Sequence, residues 1–227
     1  MALYKLSYII IIIIIIIIIK LTDKEIQISV AQMLEVWTCS PHTCICGKLV
    51  DARGLDGLSC RKTTPRHQRH AMLNDIICRA IKWAHIPAHK ESTGLITHGG
   101  TRPDGATLIP WSKGKPLAWD VTVPDTYADS HINMTSSEAG AAARQAASTK
   151  DIKYIDITST HIFYPIAIET AGSWDVQALE VIEEIGRRIT EATEDSKETM
   201  YLFQRLSMAI QRGNALSFFN TFDKNHV

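Results

Sequence analysis

Hydrophobic and polar positions alternate with different periods along the chain, and each period predicts an element. Residues 23–37 place Ile26, Val30, Leu34 and Trp37 roughly on one side of a helix. Residues 38–65 show neither period and are rich in Cys, Gly, Pro and Thr. A helical period returns over residues 66–84, with Leu73, Ile76, Ile77, Ala80, Ile81 and Ala84 on one side. Residues 86–100 are irregular, with Pro87 and the pair Gly99-Gly100. Two strands are predicted next, over 106–111 and 117–123, joined by the turn Ser112-Lys-Gly-Lys-Pro. The second alternates: Leu117, Trp119, Val121 and Val123 face one way, and Ala118, Asp120 and Thr122 the other. Residues 136–153 are Ala-rich and helical. Residues 161–168 predict a third strand, interrupted by Pro165. Two helices close the chain. One buries Leu179, Ile182, Ile185 and Ile189. The other opens with the capping pair Asp195 and Glu198 and buries Phe203, Leu206 and Ile210. The order helix, hairpin, helix, strand, helix, helix describes a mixed α/β domain.

The N-terminus breaks this patterning. Ile9 to Ile19 are eleven consecutive isoleucines, and with Tyr8 the apolar run reaches 12 residues. A membrane span needs about 20, and no small-residue cleavage site follows. Residues 1–22 are therefore read as a low-complexity leader, with membrane association through residues 8–19 as the minor alternative. Such an uncharged, β-branched run is an aggregation hazard.

Composition adds a core and a charge gradient. Of the 227 residues, 45% are hydrophobic, enough for a packed core, and the formal net charge is zero. Residues 42–102 carry ten Lys/Arg against four Asp/Glu and six of the nine His. Residues 169–200 carry nine acids against three bases. A basic N-terminal half can face phosphate; an acidic C-terminal helix cannot easily do so. Two solvated faces of opposite sign are the plainer alternative. Of the five cysteines, Cys39, Cys44, Cys46 and Cys60 fall within 22 residues, interleaved with histidine. That spacing suits a metal better than a disulfide framework and predicts a reducing, intracellular compartment, nucleus or cytoplasm. Zinc and a set of free thiols both stay open.

The candidate chemistry lies between Arg102 and Tyr154. Asp104 follows Pro103 at the start of the predicted hairpin, and Asp120 interrupts its second strand. Two carboxylates brought near 4 Å repel unless a divalent cation lies between them or one is salt-bridged. Lys150 and Lys153 lie three apart at a helix end, so either could lean over the pair.

Arg102-Pro-Asp104, an acidic residue in a Val/Thr strand, and Lys150-x-x-Lys153-Tyr154 together resemble the PD-(D/E)XK nuclease core. More narrowly, they resemble the restriction-enzyme-like endonuclease at the C-terminus of site-specific non-LTR retrotransposon proteins, related to reverse transcriptases. In that family a Cys/His zinc knuckle precedes the Pro-Asp motif. Gly57-Leu-Ser-Cys60-Arg-Lys, Arg66-His67-x-x-His70, Leu73-Asn-Asp-Ile-Ile77 and Leu202-Phe-Gln-Arg-Leu-Ser207 strengthen the likeness, which covers roughly residues 44–222.

The resemblance implies a PD-(D/E)XK-like α/β core, a small mixed sheet flanked by helices, over residues 66–227. A short helix and a zinc-knuckle-like loop over 23–65 would precede it. It implies DNA cleavage, with Asp104 and Asp120 holding Mg²⁺ or Mn²⁺, Lys150 or Lys153 positioning the attacking water, and Glu91 as the third acid. Arg102, Arg66 and Arg69 would meet the nucleic acid. Cys44, Cys46 and Cys60, completed by His67 or His70, would hold Zn²⁺. The partners would be DNA and the rest of a retrotransposon machinery. Two departures stand out: Thr122 occupies the place of the family's strand lysine, and Leu55-Asp56 stands where a knuckle histidine is usual. A zinc-assisted nucleic-acid-binding module without catalysis, and a decayed remnant that only folds, are the alternatives.

Overall fold

The computed structural model describes residues 21–60, 65–91, 95, 100 and 102–222. The isoleucine run lies outside them. The chain forms two units, residues 1–69 with 207–227, and residues 70–206. Among the described residues, 207–222 thus pack with those of the N-terminal segment from 21 onwards.

In the first unit, helix α1 (Asp23–Leu34) opens with a capping box that the sequence reading missed. Thr22 Oγ1 accepts from Glu25 N–H at 3.3 Å, and the Glu25 carboxylate accepts from Thr22 N–H at 2.7 Å. The expected Ile26/Val30/Leu34/Trp37 face is not the buried one. Ser29 and Gln32 are buried, whereas Leu34 and Trp37 are exposed. Helix α1 is held by Ile26, which packs against Leu21 and Met208, and by polar contacts, with Ser29 Oγ donating to Gln211 O at 3.4 Å and Arg212 facing Glu25. Strands β1 (His42–Thr43) and β2 (Leu49–Val50) form a minimal antiparallel hairpin, followed by a 3₁₀ turn at Leu55–Ser59. Gly54 has φ 69°, and a Cβ there would lie 2.4 Å from the Phe218 ring, so this turn admits no side chain.

Helix α2 (Pro65–Trp83) follows. Arg69, expected on a phosphate-facing surface, is 1% exposed. Its Nη1 donates to Asn214 Oδ1 at 2.7 Å, and Gly213 leaves room for its stem, which a Cβ there would approach to 2.6 Å. A guanidinium so enclosed ties the unit together and does not reach a nucleic acid.

The second unit is built on a four-stranded sheet in the order β3 (Ala88–Lys90), β4 (Gly105–Thr107), β5 (Leu117–Thr122), β6 (Ile162–Ala167). The first two pairings are antiparallel and β5–β6 is parallel. Strand β3 falls in the stretch read as irregular, where three residues offer no period to detect. The strand expected over 106–111 stops at Thr107. Thr107 Oγ1 accepts from Leu117 N–H and donates to Ile109 O, both at 2.9 Å, turning the chain out of the ladder.

The parallel crossover carries α3 (Ile132–Thr135), α4 (Ala141–Lys153) and a 3₁₀ turn at Ile155–Ser159. The helix expected over 136–153 starts only at Ala141, with Gly140, φ 85°, as its N-cap. Pro165 survives in β6 for a geometric reason. Ile162 and Ile168 donate their N–H groups to Pro116 and Thr122 beside β5. Odd-numbered residues therefore point theirs to the open edge, where the missing proline N–H is harmless. Residues 117–121 of β5 are all buried, so both faces of this strand are covered.

Helix α5 (Val176–Thr193) buries Ala178, Val181, Ile182, Ile185 and Ile189. Helix α6 (Glu198–Phe219) buries Leu202, Leu206 and Ile210, while Phe203 stays half-buried, edge-on to Trp174. Asp195 Oδ1 accepts from Lys197 N–H at 2.9 Å, whereas Glu198 faces Arg205.

Candidate functional site

Antiparallel register sets the geometry of the acidic site. Gly105 pairs with Trp119, so one further step sets Asp104 opposite Asp120. The other side of β4 behaves alike. Lys90 pairs with Gly105, and Glu91 N–H donates to Asp104 O at 2.9 Å. Glu91, Asp104 and Asp120 thus lie in one row at the same end of the sheet. Glu91 is exposed at the end of β3, with φ 55°.

Asp104 is held from three sides. Its Oδ2 accepts from His70 Nε2 at 2.8 Å and from Val121 N–H at 2.7 Å. Its carbonyl accepts from Asn74 Nδ2 at 3.2 Å, and Asn74 Oδ1 accepts from Trp119 Nε1 at 2.8 Å. The Trp119 ring would come within 2.1 Å of a Cβ on residue 105, so the glycine after Asp104 is a packing requirement. His70 and Asn74 are four apart on α2, hence on one face.

Asp120 is 4% exposed. Its Oδ1 accepts from Tyr154 OH at 2.7 Å, and Lys150 Nζ lies 2.5 Å from Oδ2 as an ion pair. Tyr154 OH also lies 2.7 Å from Arg102 O. Burial, and then the charge of Asp104, push the Asp120 carboxyl above its ordinary 3.8, while Lys150 and the Tyr154 hydroxyl pull it down. Burial and the contact with Asp120 raise the Tyr154 phenol. The hydrogen bond to Asp104 raises His70 above 6.5.

Helix α4 delivers Lys150 and Tyr154, four apart, to this end of the sheet. Ala143 and Ala147 pack on Ala167 of β6, and small side chains permit that approach. Glu169, buried just beyond β6, accepts from Ala142 and Ala143 N–H at 2.9 and 3.2 Å and satisfies the first turn of α4. Lys153 is directed elsewhere: its Nζ stands 4.9 Å over the Tyr154 ring, and its side chain is exposed. Arg102, Arg66 and His67 are exposed.

The cysteine cluster lies in the first unit. Cys44, Cys46 and Cys60 bring their sulfurs within 4.8 Å of one another and could hold a metal ion, and among the described residues no other group of three or more such ligands converges. Cys44 and Cys60 sulfurs are 3.6 Å apart, near the roughly 3.8 Å that tetrahedral Zn–S bonds impose. The loop is shaped by Gly47 N–H donating to Cys44 O at 2.7 Å. The Lys48 N–H lowers the Cys46 thiol, and burial pushes Cys44 up to about 12.

The expected completion by histidine does not occur. His70 is engaged with Asp104, and His67 does not join the cluster. Nor does Asp56, whose carboxylate accepts from Asp51 N–H at 3.3 Å. Sequence reasoning missed His70 as a partner of Asp104, and it missed Asn74, Tyr154 and Glu169. The four-residue spacings His70–Asn74 and Lys150–Tyr154 were the available signal.

Comparison with models of known protein families and with curated proteins finds no match. Among the described residues no helix is long and apolar enough to cross a membrane.

Proposed function

We propose that the second unit is a divalent-metal-dependent DNA endonuclease domain of the PD-(D/E)XK kind, derived from a retrotransposon protein. One observation carries this reading: Asp104 and Asp120 stand opposite each other on adjacent strands, with Lys150 on the buried member. A buried carboxylate raised by burial and by a second carboxylate favours a cation nearby. Two carboxylates suit Mg²⁺ or Mn²⁺, which keeps waters and takes its remaining ligands from phosphate. When bound, the ion would polarise the scissile phosphate and generate the attacking hydroxide.

The residues divide the remaining work. Asp104 and Asp120 hold the ion. Lys150 supplies the positive charge that the strand lysine, replaced here by Thr122, would otherwise bring, and it orients the attacking water. Tyr154 holds Asp120 in place. Exposed Arg102 meets a flanking phosphate, and Glu91, whose N–H donates to Asp104 O, supplies the third acid at the sheet end. Cys44, Cys46 and Cys60 hold Zn²⁺ as a folding element of the first unit.

The test is nicking of supercoiled plasmid with Mg²⁺ or Mn²⁺, comparing the wild type with Asp104→Ala. Equal nicking by both removes the catalytic assignment. Salt-sensitive DNA binding without nicking favours the second reading, a zinc-assisted binding module, which the converging cysteines support on their own.

A further inference from the structure

We infer that His70 is a positioning residue for Asp104, presenting one chosen carboxylate oxygen to a divalent cation. This rests on the metal-site reading above and extends it to a residue outside the acid–lysine set. The geometry is specific. Both donors to the Asp104 carboxylate, His70 Nε2 and Val121 N–H, converge on the same oxygen, Oδ2. Among the described residues Oδ1 makes no hydrogen bond, so it is the oxygen left for a cation.

The same helix fixes the main chain beneath. Asn74, one turn after His70, donates to the Asp104 carbonyl and is itself held by the Trp119 indole. Side-chain rotation and backbone position of Asp104 are therefore set by two residues on one face of α2. A carboxylate with one oxygen tethered by two donors loses most of its rotational freedom before the cation arrives, so less entropy is lost on binding. Partners of ligating carboxylates typically change metal affinity by 10–100-fold. The imidazole is 40% exposed on its side chain, so its removal leaves no buried cavity to unfold the unit.

The test compares wild type, Asp104→Ala, His70→Ala and His70→Gln in the full chain. Mn²⁺ binding is read by electron paramagnetic resonance, and plasmid nicking is read as a function of Mn²⁺ concentration. The expected result is about a 10-fold rise in the Mn²⁺ dissociation constant for His70→Ala. Its nicking rate at saturating Mn²⁺ should fall much less. His70→Gln, whose amide can donate to Oδ2, should recover most of the loss, and added imidazole should partly rescue His70→Ala. Unchanged Mn²⁺ affinity in His70→Ala, with Asp104→Ala impaired, overturns the positioning role and leaves the metal site standing. Equal Mn²⁺ binding by wild type and Asp104→Ala overturns the metal-site reading itself. Loss in both His70 variants with unchanged Mn²⁺ affinity assigns His70 to another step and also overturns the proposal.

Discussion

The two units hold two clusters of ligand-type side chains, built on opposite terms. In the second unit, both members of the acidic pair already have protein partners: Asp104 has His70 and Val121 N–H, and Asp120 has Tyr154 and Lys150. In the first, Cys44, Cys46 and Cys60 converge mainly on one another, and the two-residue strands around them supply little core. On the proposed function, a preorganised oxygen site would fold without its ion and use it only for chemistry. A thiol cluster on a thin scaffold needs its ion to fold. The difference lies in the donors, since carboxylates find cationic and N–H partners within a protein whereas thiolates find few.

The largest effect should fall on chemistry. Asp104→Ala and Asp120→Ala are each expected to lower Mg²⁺-dependent plasmid nicking about a thousand-fold, roughly 4 kcal/mol of transition-state stabilisation. Folding of the second unit, checked by circular dichroism, should persist.

Chelation of zinc, or Cys60→Ser, should produce the reverse pattern. Limited proteolysis is expected to cut within residues 38–60 while the second unit stays resistant. Equal resistance of both units to proteolysis after chelation would erase the contrast.

Lys150 and Lys153 offer a sharper comparison within one site. Lys150→Ala should reduce nicking by about 100-fold, whereas Lys153→Ala, which loses only an exposed cation–π contact, should stay within about threefold. Similar losses in both variants would mean that the ion pair with Asp120 does not mark the functional lysine.

The smallest effect concerns stability. Asp120 and His70 both have folded pKa values raised above their ordinary 3.8 and 6.5. A raised value contributes stability that is full below the unfolded pKa and is lost as pH rises through the folded one. Through these two groups the metal-free protein should lose stability as pH rises, first through the Asp120 range above 3.8 and then through the His70 range above 6.5, whereas Glu184 and Glu138, held below 4.5 by their arginine partners, act in the opposite sense only at the acidic end. Asp120→Asn should raise the neutral-pH Tm by a few degrees, at about 2–4 °C per kcal/mol for a chain of this size. It should also flatten the lower part of the pH profile. Thermal melts of both proteins from pH 4 to 8 without divalent ions check the sign, and a lower Tm for Asp120→Asn would show that Lys150 and Tyr154 outweigh the desolvation of Asp120.

Much of the framework was legible. The Leu73–Ile81 and Ile182–Ile189 stripes follow from periodicity because each helix buries one repeating set of side chains, and β5 and β6 follow from their runs of strand-forming residues although β5 is buried on both faces. The acidic pair and its lysines were legible as residue types. Their division of labour was not. Lys150 and Lys153 are equivalent by spacing, and only the seating of α4 on β6 directs one to Asp120 and the other over Tyr154. Arg69 and His70 are neighbours, one expected to meet nucleic acid and the other to complete the cysteines, yet one is enclosed beside Asn214 and the other meets Asp104.

Local order settled the longer helices and the strands β5 and β6, though not the short strands β1 to β3 or the bounds of β4, and it set which carboxylates, thiols and amines were present, because propensity and periodicity act between near neighbours. Packing settled the pairing. That Asp104 faces Asp120, that His70 leaves the cysteines for a carboxylate, and that α1 buries Ser29 in place of Leu34 each depend on residues more than 15 positions away. Contacts over such separations form only when the strands take their register and the helices find their faces, which no short stretch of the chain encodes.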